Sequence, residues 1–336
     1  MIASRACLAV CVLLACAGTA LANDSIGNLS AGGIVLGRSD DIEMRSEDLY
    51  VSTKEIRVHY RFFNTSDQDI TTLVAFPMPD VTAPSDDDNR AIPVDDPVNF
   101  MAFKTQVDGK PVNIQVEQRA IALGIDRTDL LKSLGVPLAP FLEATTKAVQ
   151  GLPAERQAEL VGLGVLRSQE EDIGQGMKKY VYPNWTLRTT YYWNQVFPAK
   201  KEMVVEHQYQ PSVGASVGTM VGESAPDRAA MDDYRKRYCM DAEFITAAQR
   251  QSKTLKQRKP AATTLSEKRI EYILTTGAHW AGPIKDFRLV IDKDKPGNLI
   301  SACGKFKKIS ATQFELRQAD YFPERNLEVL TLEPLE

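Results

Sequence analysis

Ile56, Val58, Tyr60 and Phe62 alternate with Arg57, His59 and Arg61. A period of two puts one set on a buried face and the other on a wet one, so this stretch predicts a half-buried β-strand. Asn64-Thr65-Ser66-Asp67 supplies turn residues, and an apolar run from Ile70 to Phe76 follows until Pro77 and Pro79 end it. The two runs predict an antiparallel hairpin, with a further strand before it over Ile42–Ser52. Phe100–Val107 and Pro111–Ile121 flank Asp108-Gly109, a strong hairpin dipeptide, and predict a second hairpin. Between the hairpins, Pro84–Pro97 is acidic and proline-rich and predicts an exposed loop.

Residues 126–172 change character. Asp126 or Thr128 caps a predicted helix through Leu134, and Pro140–Gln150 and Pro153–Leu163 read as two more, each followed by a glycine. Strand periodicity returns at Lys179–Tyr182, Thr186–Phe197 and Glu202–Gln210. Pro226–Arg258 is charged and predicts helix, Pro260–Thr264 a linker. Arg269–Thr276, Ile284–Ile291, Gln313–Arg317 and Asn326–Leu332 read as β. The pattern predicts a mainly β protein of antiparallel β-sandwich architecture, with helical insertions at about 126–172 and 226–258. The expected division is a leader at 1–22, a sandwich domain at 23–225, a helical connector at 226–264 and a C-terminal β region at 265–336, read as a second lobe.

The leader sets the expected compartment. Arg5 gives a positive start, Ala6–Ala15 is apolar, and Ala20-Leu21-Ala22 has small residues where a signal peptidase reads. The run is too short to span a bilayer as a helix, and no second one is long enough, so no transmembrane segment is expected after cleavage. Cleavage after Ala22 predicts a periplasmic or secreted protein. Leu13-Leu14-Ala15-Cys16 also resembles a lipid-attachment box, which would instead leave a lipid anchor at Cys16. The composition is that of a folded globular chain, 43% hydrophobic and 25% charged. A net charge of −4 argues against nucleic acid as a partner. Beyond the leader only Cys239 and Cys303 remain, and two cysteines in an oxidising compartment predict one disulfide.

Candidate chemistry is sparse. His59, His207 and His279 are the only histidines, none at metal-ligand spacing with another, and no cofactor is expected. Asp86, Asp88, Asp95 and Asp96 have the oxygen chemistry calcium takes, without the spacing of an EF-hand. Ser216 sits in a GxSxG string, Gly214–Gly218, which marks a nucleophile only at a strand–turn–helix elbow. His207 shares the apolar face of its strand with Met203, Val205 and Tyr209, where a satisfied core histidine is the simpler reading. Trp185, Tyr192 and Trp280 are candidate ligand-facing rings, suited to a glycan or a protein surface. These features favour a non-catalytic envelope protein that binds a partner or scaffolds an assembly. The alternatives are a secreted hydrolase using His207 or Ser216, and a carbohydrate-binding module.

Three stretches resemble a family of exported bacterial proteins known only as a domain of unknown function, DUF4424. The first is Asn23-Asp24-Ser25 with Ala31–Ile34, leading to Ser46–Ser52. The second runs from Tyr60-Arg61-Phe62-Phe63-Asn64 to Val74–Pro79. The third is Tyr192–Ala199 followed by His207–Pro211. The resemblance implies export and a shared fold but no activity. A weaker likeness, in the order of strand, Phe-Pro-x-Pro, Asp-Gly hairpin and helical stretch, is to the β-sandwich of inter-alpha-trypsin inhibitor heavy chains. It implies a sandwich only.

Overall fold

The computed structural model describes residues 24–30, 33–84, 89–174, 176–223, 226–258 and 264–335. The predicted leader (1–22), Asp86 and Asp88 lie outside the described residues.

From the N-terminus come β1 (Ser25–Ser30), β2 (Gly33–Gly37), β3 (Ile42–Val51) and β4 (Ile56–Asn64). In β4 the alternation is realised: Ile56, Val58, Tyr60 and Phe62 are buried and Arg57 and Arg61 exposed. Then follow β5 (Ile70–Pro77), β6 (Val81–Thr82), β7 (Asn89–Ala91), β8 (Lys104–Val107) and β9 (Lys110–Pro111). Asp108 and Gly109 turn β8 into β9 with φ of 48° and 72°, the paired positive values of a tight hairpin turn. The hairpin is shorter than predicted. It ends at Pro111, which has no amide donor, and β10 (Gln115–Ala122) crosses into another sheet to pair with β14 (Thr186–Phe197).

The short β11 (Ile125–Asp126) precedes the helices α1 (Thr128–Ser133), α2 (Glu143–Gln150) and α3 (Ala154–Gly162). The helical insertion stops there and not at 172. Gly164, at φ 69°, turns the chain, and β12 (Leu166–Asp172) pairs with β13 (Met177–Pro183). Its glutamates face lysines across the ladder, Glu170 opposite Lys179 and Glu171 opposite Lys178. β14 leads to β15 (Glu202–Tyr209) and β16 (Val213–Ser216). The second helical segment holds α4 (Arg228–Tyr238) and α5 (Ala242–Arg258). The chain ends with β17 (Leu265–Tyr272), β18 (Ile284–Asp292), β19 (Leu299–Ala302), β20 (Lys307–Lys308), β21 (Gln313–Tyr321) and β22 (Leu327–Pro334).

The protein is mainly β. An eight-stranded sheet runs β20-β21-β18-β3-β4-β15-β8-β9, and a seven-stranded sheet runs β11-β10-β14-β5-β1-β2 with β6 beside β14. Their inner faces meet in one aromatic core, where Phe62 of β4 packs against Phe197 of β14 and Phe76 of β5 against Tyr209 of β15. A five-stranded sheet, β19-β22-β17-β16-β7, continues this core through Ile270, Tyr272 and Val329. A second cluster packs α1–α3 on Ala120, Leu166 and Trp185, and a third packs α4 and α5 on Leu265, Leu330 and Leu332.

The strands after residue 265 do not stand apart as a second lobe. β18 lies inside the eight-stranded sheet, antiparallel to β21 and parallel to β3, and β17 pairs with β16. A parallel pair cannot be joined by a tight turn, and here a long connection separates its strands. That pairing joins residues far apart in sequence and is invisible to local periodicity.

One ladder position carries a conflict. Glu271 of β17 faces Glu328 of β22 directly. Burial and then Glu328 push the Glu271 carboxyl above its usual range, while Arg237 pulls it down. A raised carboxyl favours the protonated folded form, so this contribution is intact at low pH and lost as pH rises through the raised value. Glu271→Gln is therefore expected to stabilise the protein by about 0.2–1 kcal/mol at pH 8. The gain should vanish at about pH 4, near the free carboxyl pKa. Urea titrations at both pH values check it, and a destabilised variant at pH 8 contradicts it.

Candidate functional site

β15 buries Met203, Val205, His207 and Tyr209 on one face. That alternation aims the His207 ring into the core, where Phe76, Phe103, Trp193 and Tyr60 surround it at centroid distances of 4.8, 5.1, 5.5 and 5.7 Å. Both ring nitrogens are engaged. Nε2 lies 3.0 Å from Asp24 Oδ1, and Nδ1 makes a short hydrogen bond with Thr105 Oγ1 on the neighbouring β8. Asp24 immediately precedes β1, which docks on β5 with Ser25 opposite Ala75. Trp280 Nε1 donates to the Asp24 carbonyl at 2.7 Å, and Ser25 Oγ meets His279 Nδ1 at 2.9 Å. Burial pushes the Asp24 carboxyl above its usual range, and His207 pulls it back. A second buried chain lies nearby. The Tyr60 and Tyr272 hydroxyls are 2.9 Å apart, and Tyr272 donates to Glu47 at 3.5 Å. Burial drives both phenols well above their usual pKa.

Hydroxyl, imidazole and carboxylate thus stand in the order of a catalytic triad. Chemistry also needs a substrate beside the hydroxyl. The side chains of His207 and Asp24 have no exposed surface, and Thr105 is 4% exposed. The arrangement satisfies buried polar groups within the core.

Ser216 ends β16, opposite Glu267 of β17. Its hydroxyl accepts from Arg269 Nη1 at 2.8 Å, and bends follow the strand, so the helix an elbow requires is missing. Trp185 and Trp280 correct the expectation of ligand-facing rings, being 2% and 4% exposed. Their apolar bodies sit in the core, and each indole N–H reaches a backbone carbonyl: Trp185 that of Leu138 at 2.7 Å, Trp280 that of Asp24. Tyr192, on the other face of β14, is half-buried.

In the acidic loop, Asp96 Oδ1 accepts from the amides of Val98 and Asn99, both at 2.8 Å. These bonds hold its carboxyl below the usual range. No three metal-capable side chains gather among the described residues, Asp95 and Asp96 included. Cys239 and Cys303 form a disulfide that ties the end of α4 to the residue after β19.

Two grooves of about 620 Å³ each open on the surface. One crosses the outer face of the eight-stranded sheet. Register aligns Gln106, Glu206, His59, Asp48 and Arg288 in one row across five strands. Arg288 is already committed there, to Asp48 at 2.9 Å and Glu315 at 2.7 Å, while Arg57 covers the Tyr50 ring. The other groove follows β19, between the start of α5 and the aromatic rings of Phe306 and Phe314. Periodicity marked the wet face of β4, and β3 follows as its hairpin partner, but the joining of β15 to β4 and of β18 to β3 is non-local and leaves no local pattern.

The family model described as Domain of unknown function (DUF4424) matches residues 22–330. No curated protein matches the sequence. Among solved structures, the chain is similar to one from Legionella pneumophila subsp. pneumophila str. Philadelphia 1, described as a "putative nutrient binding protein". The identity is 15% and the TM-score 0.43, over 92% of this chain and 72% of that one. The likeness to inter-alpha-trypsin heavy chains rests on sequence pattern alone.

Proposed function

We propose that this chain, which belongs to the DUF4424 family, is an exported, non-catalytic binding protein of the cell envelope. One observation carries the reading: His207, the best general-base candidate, has both nitrogens in core hydrogen bonds and no exposed side-chain surface. Ser216, the other catalytic candidate, is held by Arg269 and sits in a different sheet from His207. The surface instead offers grooves along and across sheets, the form that suits binding.

The test has two arms. Ser216→Ala is expected to leave the fold unchanged and to alter no hydrolysis of ester or peptide substrates beyond the background rate. Affinity capture from envelope extract with the native protein is expected to retain a defined partner in fixed ratio. A hydrolytic rate that falls at least tenfold in Ser216→Ala, with folding intact, would sink the reading in favour of a hydrolase.

A further inference from the structure

The two ends of the Cys239–Cys303 bond differ in access and in surroundings. Cys239 is exposed, and Cys303 is half-buried. Cys239 caps α4 in the left-handed region, at φ 52°, a position that glycine takes without cost and a side chain does not. It also lines the groove beside β19, whose 620 Å³ admit a small molecule. Arg325 Nη1 lies 3.7 Å from Cys239 Sγ, and its Nη2 donates to the Arg237 carbonyl at 2.9 Å, which holds the guanidinium in place. Cys303 Sγ lies 3.6 Å from that same carbonyl oxygen, nearer than Cys239 Sγ is to the Lys236 carbonyl, at 4.0 Å. Asp241, Glu243 and Lys305 line the groove as well, and Asp241 is occupied, accepting from the Phe244 amide at 2.7 Å. Among the described residues only Arg325 brings a charge into polar contact with either sulfur. A cation at one sulfur and a carbonyl at the other give the bond a direction.

We propose that Cys239 is a thiol-exchange site. A thiolate attacks Cys239 Sγ, a new disulfide forms there, and the Cys239–Cys303 bond breaks. The electron pair of the broken bond goes to Cys303 Sγ, which takes a proton from solvent and as a thiol donates to the Arg237 carbonyl. One disulfide replaces another, so the attacking thiol is the only co-reactant. Access decides which sulfur is attacked, and exposed bonds are the labile ones. The attacking species is an anion, and a guanidinium beside the target draws it in. Return attack by Cys303 expels the thiol and restores the bond. The effect is mechanical: exchange parts the end of α4 from the residue after β19, while Ser301 Oγ still donates to the Tyr238 carbonyl at 3.0 Å. α4 then keeps one hold on the strand and loses the covalent one. This chemistry is independent of the binding role proposed above.

The first probe is reduced glutathione, added to the native protein where circular dichroism shows it folded. After free thiols are capped, mass spectrometry of a digest should place glutathione on the Cys239 peptide at least fivefold more often than on the Cys303 peptide. Arg325→Ala should slow the exchange about threefold, and Arg325→Lys should keep most of the rate. Two further variants serve if the alanine variant misfolds. The free Cys239 of Cys303→Ser should react with oxidised glutathione at least threefold faster than the free Cys303 of Cys239→Ser. The second probe is a thioredoxin with a single active-site cysteine. A complex trapped through Cys239 names a protein dithiol as the natural donor, and an adduct with glutathione alone names a small thiol. The proposal is overturned by an adduct mainly on Cys303, by no adduct while the fold persists, or by an unchanged rate in folded Arg325→Ala.

Discussion

His207→Ala is expected to destabilise the protein by about 3–5 kcal/mol, as breaking a buried hydrogen-bonded pair from one side does. Two effects add. The ring fills space among Phe76, Phe103, Trp193 and Tyr60, and truncation leaves a cavity that packed aromatics close only partly. The Asp24 carboxyl also stays in the interior without the imidazole at 3.0 Å. The pH dependence gives a second readout. Burial raises the Asp24 carboxyl and His207 opposes that rise, so removing the ring lifts it further. A raised carboxyl contributes stability at low pH that is lost as pH rises through its value, so the deficit of the variant should grow with pH. Denaturant unfolding at pH 5 and pH 8 checks both size and sign. His207→Gln, whose amide can still donate to Asp24, should lose less. A cost below about 1 kcal/mol would mean that the network bears little on folding.

Removing the Cys239–Cys303 bridge is expected to cost nearly as much. The cysteines are 64 residues apart, and closing a loop of that length restricts the unfolded chain by about 4 kcal/mol in the entropic account. The doubly substituted protein, Cys239→Ser with Cys303→Ser, should unfold at correspondingly lower denaturant. Native protein in strong reductant should match it. If reductant leaves the native midpoint unmoved while the double variant falls, the loss comes from the serine side chains and not from the cross-link.

The fold class was readable wherever a pattern is local. β4, the Asp108-Gly109 turn and the three short helices all follow from neighbours within a few residues. β12 was not, because Gln169, Glu170 and Glu171 are helix formers by propensity and only the lysines of β13 make them a strand. His207 was legible as a core histidine from the apolar face it shares. Its partners were not, since Asp24 lies far upstream and Thr105 on another strand. The aromatic expectation failed at Trp185 and Trp280: Trp185 stands just before β14, in phase with the strand's buried positions Leu187, Tyr191 and Trp193, and the helices α1–α3 cover it. The β19 groove left no mark in the sequence, because its walls come from separate parts of the chain.

The parallel contact between β3 and β18 has a kinetic consequence. β3 is made early and sits at the middle of the largest sheet, yet one flank stays unfilled until Ile284–Asp292 is available. Contacts this distant in sequence close slowly, and a nascent chain holding only β1–β16 exposes the inner strand as a raw margin. Such a polypeptide commits to its native topology only when nearly all of it has been delivered. That timing is compatible with the export proposed above, in which a loose thread would assemble only after delivery.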